Sequence, residues 1–310
     1  MDISIALDRR SAAPTPLRVK RATFRDTVGT WEFSSCEPPE DLRELAALLW
    51  SSRGRVRFSA EAILPRPGME LIVNLGADYA VTNRGSPPRQ LPYRDAWLSP
   101  MQESPLVVVP SVVRPSFDTD LVAVTLRPGG AHALLGLPLG DLTNRVIELE
   151  DLLGPATVRA LQRRLAGAPS AAPRFALLVA FLRALREASR ARPSARVAEA
   201  LEVIDVAPGE ARVLEIARDL AVSPKHLRTL FEREVGLSPK RYARLVRFTG
   251  VIGEVAAVLA PSVDWAAVAL RHGYFDQAHF AREFRAFAGV TPTEYLRART
   301  PDGTTLVDRG

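Results

Sequence analysis

Apolar residues follow one spacing in the first part of the chain and a different one in the second. From Trp31 to about Leu126 they form short or alternating runs, such as ELIVNLGADYAVT (70–82) and LVAVTL (121–126), which predict β-strands. Pro-Gly at 67–68, Pro-Pro at 87–88 and Pro-Gly-Gly at 128–130 are strong turn signals. The pattern predicts a β-rich domain and leaves barrel and sandwich geometry both open.

Helical spacing replaces this pattern from about residue 140. IELEDLLG and TVRALQRRL lie within 147–165, and RFALLVAFLRALREASR follows at 174–190. The last segment places five apolar residues on one helix face: Phe175, Leu178, Phe181, Leu182 and Leu185. Such a stripe is more often core than a dimer contact, and both interpretations stay open. The polar, basic segment ASRARPSAR (188–196) contains one proline and predicts a linker.

The final third of the chain contains one structural unit twice, at an offset of 53 residues. The matched pairs are Ser223–Asp276, His226–His279, Leu227–Phe280, Phe231–Phe284, Gly236–Gly289, Pro239–Pro292 and Tyr242–Tyr295. Serine and aspartate favour a helix N-cap, and glycine favours the left-handed residue that ends a helix. A shorter helical segment precedes each unit, VLEIARDL (213–220) and DWAAVALRH (264–272). Helix, short turn and helix is the arrangement of a DNA-reading motif.

Polar residues on the second helix of each unit are candidates for DNA contact. That helix lies in a major groove about 12 Å wide, so its outer face must carry hydrogen-bond donors. The candidates are Ser223, Lys225, His226, Arg228 and Thr229 in the first unit, and Gln277, His279, Arg282 and Arg285 in the second. Arginine suits guanine, glutamine suits adenine, and both can bind phosphate. The two histidines fit a phosphate contact and a packing role equally well.

The segment YARLVRFTGVIGEVAAVLA (242–260) joins the two units. As a helix it would span roughly 28 Å at about 1.5 Å per residue, close to the roughly 34 Å between successive major-groove faces of DNA. One chain could therefore read two adjacent grooves. Gly250 and Gly253 weaken this helix and can bend it. A phosphate contact and a salt bridge are both open as roles for three nearby arginines: Arg233, Arg244 and Arg247.

The positive charge of the chain is concentrated near its C-terminal end. At 310 residues and 47% hydrophobic content, the chain is long enough for two domains. Residues 211–299 contain 14 Lys/Arg against 9 Asp/Glu, so most of the net charge of +6 lies there. No run approaches the roughly 18 apolar residues of a membrane helix, and MDISIALDRR lacks the order of a signal peptide. We therefore expect a cytoplasmic protein with no membrane partner.

Candidate catalytic and metal-binding residues are few. Cys36 is the single cysteine, and His132 is the one histidine outside the C-terminal module, so neither a multi-thiolate zinc site nor a histidine triad can form in the N-terminal domain. Asp118 and Asp120 could ligate a hard cation but are more often turn residues. Gly-x-Ser-x-Gly, His-Glu-x-x-His and Gly-x-x-x-x-Gly-Lys motifs are absent. We predict no catalytic residue, no metal and no cofactor.

The C-terminal motifs resemble those of a known family. GYFDQAHFAREFRAFAGVTPTEYL (273–296) resembles the C-terminal signature of the AraC/XylS family of bacterial transcriptional regulators, and LEIARDLAVSPKHLRTLFEREVGLSPKRYARLVRF (214–248) is similar to the family's first helix-turn-helix. The family's base-facing positions fall on Lys225, Arg228 and Thr229, and on Gln277, Ala278, Ala281 and Arg282. The two alanines depart from the polar residues often found there, and could read a thymine methyl group or nothing.

The N-terminal part resembles the β-rich sensory domains of the same family, notably a subgroup with a segment like LPRPGMELIVNLG (64–76). The resemblance implies an α+β protein of two domains, with a β-rich (barrel or cupin-like) N-terminal domain, trailing helices and an all-α C-terminal domain with two helix-turn-helix units. The expected division is a loose tail (1–24), a sensory domain (25–190), a linker (191–195), a DNA-binding domain (196–299) and a C-terminal tail (300–310).

The expected function is sequence-specific DNA-binding regulation of transcription, controlled by an effector bound to the N-terminal domain. The expected partners are double-stranded promoter DNA and RNA polymerase, with a small-molecule effector and a second copy of the chain as further candidates. Two alternatives stay open. One is a β-barrel (cupin-like) enzyme fused to a DNA-binding module, and the other is a non-specific architectural DNA binder.

Overall fold

The computed structural model describes residues 17–26, 28–57, 60–83, 89–93, 95–110, 116–207, 212–257, 263–300 and 303–307. Residues 1–16 of the expected N-terminal tail and the Pro-Pro turn at 87–88 lie outside the described residues. Within the described part, strands occupy the N-terminal portion and helices the C-terminal portion. The predicted α+β class, with a β-rich first domain and a helical second domain, is confirmed.

Most of the strands lie between residues 20 and 148. Their bounds are β1 (Lys20–Asp26), β2 (Gly29–Cys36), β3 (Ala46–Val56), β4 (Glu61–Ile63), β5 (Met69–Asn74), β6 (Tyr79–Asn83), β7 (Arg89–Tyr93), β8 (Ala96–Ser99), β9 (Leu106–Pro110), β10 (Phe117–Leu126), β11 (Ile147–Glu148) and β12 (Thr305–Val307). Strand β1 begins at Lys20, inside the segment 1–24 for which the sequence predicts a loose tail.

Two antiparallel sheets form the N-terminal domain, with strand orders β1-β2-β3-β10-β5-β8-β11 and β12-β4-β9-β6-β7. Because successive side chains in a strand point to opposite faces, each sheet has an inner and an outer set. Ile72, Trp97 and Ala123 of the larger sheet cluster with Tyr79 and Val108 of the smaller one, so this set fills the space between the sheets. The alternate residues of the larger sheet pack against helices.

The helices begin at residue 130. Their bounds are α1 (Gly130–Leu135), α2 (Leu149–Leu153), α3 (Pro155–Gly167), α4 (Ala171–Ala188), α5 (Ala195–Val206), α6 (Val213–Asp219), α7 (Pro224–Glu234), α8 (Pro239–Ala257), α9 (Trp265–Arg271), α10 (Gln277–Ala288) and α11 (Pro292–Ala298). In the part of the chain that the structure describes, none of these helices is both long and apolar enough to span a membrane.

Helix α4 covers the outer face of the larger sheet, where it contacts β2, β3 and β10. The five apolar residues of its predicted stripe are at most 1% exposed and belong to the main core. Of the two interpretations of this stripe, the structure supports core, and these side chains are not available for a dimer contact.

One ion pair joins α4 to the sheet and corrects a sequence expectation. Asp118 and Asp120 lie within β10, so the interpretation of this pair as turn residues is wrong. The guanidinium of Arg174 donates to both carboxylate oxygens of Asp120, at 2.6 and 3.1 Å, and Arg53 approaches the same carboxylate at 3.7 Å. Asp120 therefore anchors a helix to the sheet.

Among the described residues, the two halves of the chain contact each other around the end of α7 and the start of α8, and again at the chain end. The loop before residue 144 reaches the end of α7, where Leu139 N–H donates to the Arg233 carbonyl at 2.8 Å and Thr143 Oγ1 donates to the Gly236 carbonyl at 2.5 Å. The chain end supplies the other contact. Residues 300–310 form a tail in the sequence-based division, whereas in the structure Thr305–Val307 pair with β4 as an edge strand of the smaller sheet.

Glu148, at the start of α2, gives the N-terminal domain a testable pH dependence. Burial, and then the negative charges of Asp95, Asp151 and Glu150, raise the pKa of Glu148 from 4.5 to about 7. Between pH 4.5 and about pH 7, Glu148 keeps its proton in the folded chain but has lost it in the unfolded chain. The free energy of unfolding therefore falls as the pH rises through this range. Glu148→Gln should therefore gain stability over the wild type between pH 5 and pH 8, measured by urea unfolding.

The matched control is Glu187→Gln, which changes an exposed carboxylate of the same domain. This control should show no such pH-dependent difference from the wild type. A stability difference between Glu148→Gln and the wild type that stays constant from pH 5 to pH 8 would contradict the assignment to Glu148.

Candidate nucleic-acid interface

Helices α6 and α7 form the first helix-turn-helix. The short turn between them contains Ala221 in the left-handed region, at φ 52°, which lets the chain reverse within a few residues. Ser223 is the N-cap of α7, and its hydroxyl accepts a hydrogen bond from the amide of His226 at 3.1 Å. Leu227 and Phe231 are fully buried, and Ala217 of α6 is 1% exposed where the helices approach. The predicted caps and apolar stripe are confirmed.

The opposite face of α7 is polar and exposed. Lys225, His226, Arg228 and Thr229 all lie on the surface. Arg228 Nε donates to Glu232 Oε1 at 2.8 Å, an exposed pair one turn apart, and the Thr229 hydroxyl donates to the Lys225 carbonyl at 3.1 Å. In the free protein two of the candidate contact groups are therefore occupied within their own helix.

Helices α9 and α10 repeat this arrangement in the second unit. Asp264 caps α9, and Asp276 caps α10 by accepting from the His279 amide at 2.6 Å. Gly273 in the turn has φ 69°, a conformation that favours glycine. Phe280, Phe284 and Phe287 bury the apolar stripe of α10. The punctuation predicted from the repeat is thus present in both units.

Helix α10 presents a different outer face. Gln277, Ala278, Ala281, Arg282 and Arg285 are exposed along it. Among the described residues, neither Lys225 of α7 nor Arg282 of α10 takes part in an ion pair. Both are therefore available to a partner.

The matched histidines differ, which the sequence left open. His279 is half-buried, with its ring 5.5 Å from that of Tyr274 and its Nε2 3.8 Å from Glu283 Oε2, whereas His226 is exposed. Phe275, just before the N-cap of α10, is 92% exposed and was not singled out from the sequence. Because Phe275 is apolar like the buried residues around it, the hydrophobic pattern of the sequence does not show that it is exposed.

Helix α8 connects the two units without a break from Pro239 to Ala257. Its 19 residues correspond to about 28 Å, the length predicted for the segment 242–260, of which residues 258–260 lie outside the described residues. The helix continues through both Gly250 and Gly253. At Gly250 an added Cβ would lie 3.1 Å from the ring of His272, so this glycine permits close packing of the turn after α9.

A buried ion cluster joins α8 to α10, which is the second helix of the second unit and its recognition helix. Glu283 of α10 is 4% exposed, and it accepts hydrogen bonds from Arg244 Nε at 2.7 Å and from Arg247 Nη2 at 2.8 Å. Arg247 also lies over the Tyr274 ring, 4.4 Å from its centroid. Of the two interpretations left open for these arginines, the structure supports salt bridges. In the repeat, Glu283 matches Leu230, a residue of the apolar stripe. An acidic residue at such a position is the sequence signal that could have predicted the buried ion cluster.

The first unit carries its buried carboxylate elsewhere. Glu234, at the end of α7, is 1% exposed. It pairs with Arg233, the third open arginine, and accepts from the Ser194 amide at 2.8 Å. Here the carboxylate fixes the chain that enters α5 rather than the connecting helix.

Comparison with known proteins agrees with this geometry. Residues 216–298 match the family described as "Helix-turn-helix domain". The chain is also 33% identical over 87 residues to the XylDLEGF operon transcriptional activator 1 of Pseudomonas putida, covering 28% of this chain and 26% of that protein. The C-terminal module is a helix-turn-helix domain of the AraC/XylS type. The predicted resemblance is confirmed for this AraC/XylS module.

Three further matches were found. An HTH-type transcriptional regulator of Mycobacterium tuberculosis is 30% identical over 92 residues, covering 30% of this chain and 34% of that protein. Residues 34–148 match a domain of unknown function, DUF6597. A structure of ToxT from Vibrio cholerae aligns with a TM-score of 0.46 at 10% identity, over 80% of this chain and 98% of that one. The chain spans about a quarter to a third of the length of the curated relatives.

The ion cluster around Glu283 generates a stability prediction for the AraC/XylS module. Glu283→Ala leaves Arg247, whose side chain is 12% exposed, without its partner. Removing one member of a buried pair costs about 3–5 kcal/mol. The free energy of unfolding of the full chain should fall by about 3 kcal/mol or more in guanidinium titrations.

The matched control is Glu232→Ala, which breaks the exposed pair with Arg228. An exposed pair contributes less than about 1 kcal/mol, so this variant should unfold close to the wild type. Equal small losses in the two variants would show that the cluster does not hold α10.

Proposed function

We propose that this protein is a transcriptional regulator that binds promoter DNA with both recognition helices, one in each of two successive major grooves. The observation that carries the proposal is the pairing of two capped recognition helices, α7 and α10, on one continuous connecting helix. A rigid connector of about 28 Å suits the roughly 34 Å repeat of B-form DNA. The similarity of this module to activators and regulators of transcription supports the same function.

The proposed contacts are the predicted ones. On α7 they are Ser223, Lys225, His226, Arg228 and Thr229, and on α10 they are Gln277, Ala278, His279, Ala281, Arg282 and Arg285. Of these, Lys225 and Arg282 carry exposed positive charge that no described residue neutralises by an ion pair. Arg228 must first leave Glu232, so the first unit carries a small competing interaction on its outer face.

The N-terminal β domain is proposed to control this binding through a small effector. Support comes from its separate interior between the two sheets, where Tyr79, Trp97 and Phe117 gather, and from its direct contacts with α7. A second copy of the chain and RNA polymerase are further proposed partners, and the cytoplasm is the proposed location. A small molecule that binds only the folded state must raise the melting temperature of the full chain, so melting measurements can screen for the effector.

The DNA contacts can be tested residue by residue. Arg282→Ala should cost about 1–3 kcal/mol of binding free energy and relax the preference at one base pair, because a bidentate arginine reads a base edge. Lys225→Ala should act in the same way on the other groove. Selection of bound genomic fragments supplies the site, and titrations of duplexes with single substitutions at fixed salt measure both effects.

The matched control is Arg163→Ala, which removes one exposed positive charge from the N-terminal domain. It should leave both affinity and preference unchanged. A loss that is uniform across all sequences would make Arg282 a phosphate contact. Equal affinity of the wild type for every duplex would refute the regulator and favour an architectural DNA binder.

A further inference from the structure

The end of the chain forms a small structure that touches both domains. We name it the clasp and define it as residues 299–300 and 303–307. Its two sides are held together by the Thr300 amide, which donates to the Thr305 carbonyl at 2.9 Å, and by a β-bridge between Arg299 and Leu306. The described residues on the two sides of the clasp are therefore joined by defined contacts.

On one side the clasp belongs to the N-terminal domain. Strand β12 pairs antiparallel with β4, with Leu306 opposite Ala62, and the Leu64 amide donates to the Thr304 carbonyl at 3.0 Å. The three side chains of β12 are each at most 8% exposed. Strand β4 in turn pairs with β9, and its Ile63 packs against the cluster between the two sheets. The clasp thus completes a sheet that bounds the domain interior.

On the other side the clasp belongs to the second helix-turn-helix unit. The Tyr295 hydroxyl of α11 donates to the Gly303 carbonyl at 3.0 Å, and Arg299 donates to the Val255 carbonyl near the end of α8. Gly303 has φ 72°, and a Cβ there would lie 2.7 Å from that of Ala256, so only glycine fits. Tyr295 is fully buried, with its ring 5.6 Å from Phe284 of the recognition helix α10.

A continuous series of contacts therefore runs from the interior of the β domain to one recognition helix. It passes from Ile63 through β4 and β12 to Gly303, then through Tyr295 to Phe284. The first unit has its own contact with the β domain, at Leu139 and Thr143.

We propose that the clasp couples the N-terminal β domain to the second helix-turn-helix unit through α11, so that the state of one domain changes the other through β12. The proposal rests on the proposed function, because it concerns the regulation of the same DNA-binding site. An edge strand added to a sheet is held by main-chain hydrogen bonds, and a short pairing of this kind can form and break as a unit. Coupling of this sort is reciprocal: what the β domain does to α10, DNA bound at α10 must do to β4.

The first experiment compares hydrogen exchange in the full-length wild type and Leu306→Asp, without DNA. A charge at a position that is 7% exposed cannot remain in the pairing with β4. Loss of two or three strand hydrogen bonds should accelerate exchange roughly tenfold or more. We expect this acceleration in peptides from both β4 and α11, with peptides from α7 unchanged.

The matched control is Val206→Asp, which places the same charge on a side chain of the C-terminal half that is already 86% exposed. It should change none of these peptides. Faster exchange confined to the clasp itself, with α11 as protected as in the wild type, would overturn the proposal.

A reversible cross-link tests the coupling without depending on how Leu306→Asp folds. Ala62→Cys with Leu306→Cys places two thiols opposite each other, at the roughly 4.5–5.5 Å Cα separation of an antiparallel pair, which suits a disulfide. Burial raises the pKa of the native Cys36 thiol to about 11, so it competes poorly. Exchange in α11 should be slower in the oxidised form than in the reduced form of this variant. Equal exchange in the two forms would overturn the proposal.

A final arm separates this proposal from the proposed function. DNA selected by the wild type is added, and exchange in β4 is measured again. Slower exchange in β4 of the wild type, absent in Leu306→Asp bound to the same DNA, supports the coupling. Bound DNA with no change in β4 of the wild type overturns the coupling and leaves the regulator intact. No DNA binding by the wild type refutes the proposed function, and the DNA-free experiments still decide the coupling.

Discussion

Burial of one apolar stripe from each recognition helix against the connecting helix α8 is the interaction on which the C-terminal module depends. Phe231 meets Tyr242 with their rings 5.8 Å apart, and Phe284 and Phe287 lie 5.4 and 5.1 Å from Phe248. A helix with one buried stripe must turn its opposite face outward. Core packing therefore fixes which side chains of these two helices face outward, before any charge is considered.

Electrostatics then makes the two units unequal. The second unit replaces an apolar stripe residue with Glu283 and balances it with two arginines from α8, whereas the first unit keeps Leu230 at the matched position. A buried carboxylate tolerates few orientations because each lone pair needs a hydrogen-bond donor. The cluster therefore fixes both the orientation of α10 and its distance from α8. The outer face of α7 instead carries the pair Arg228–Glu232, which is exposed and easily exchanged for phosphate.

The N-terminal domain contacts each unit by a different physical means. The first contact uses loop amides and hydroxyls on the carbonyls at the end of α7, groups that the helix itself leaves unsatisfied. The second uses strand pairing by the chain end, which is directional and buried. Both helix-turn-helix units thus contact the N-terminal domain.

Much of the C-terminal module was determined by the sequence alone. Caps, glycine ends and the apolar stripe are local signals, and the repeat doubled each of them, so the structure confirms Ser223, Asp276, Gly236 and Gly289 in their predicted roles. The strands between Trp31 and Leu126 and the helices after residue 140 also followed from spacing, whereas β1 did not. Only tertiary structure decided the partners of Arg244 and Arg247, the place of Asp120 in a strand, and the return of β12 to the first domain. These depend on contacts between residues far apart in sequence, whose pairing no local period encodes.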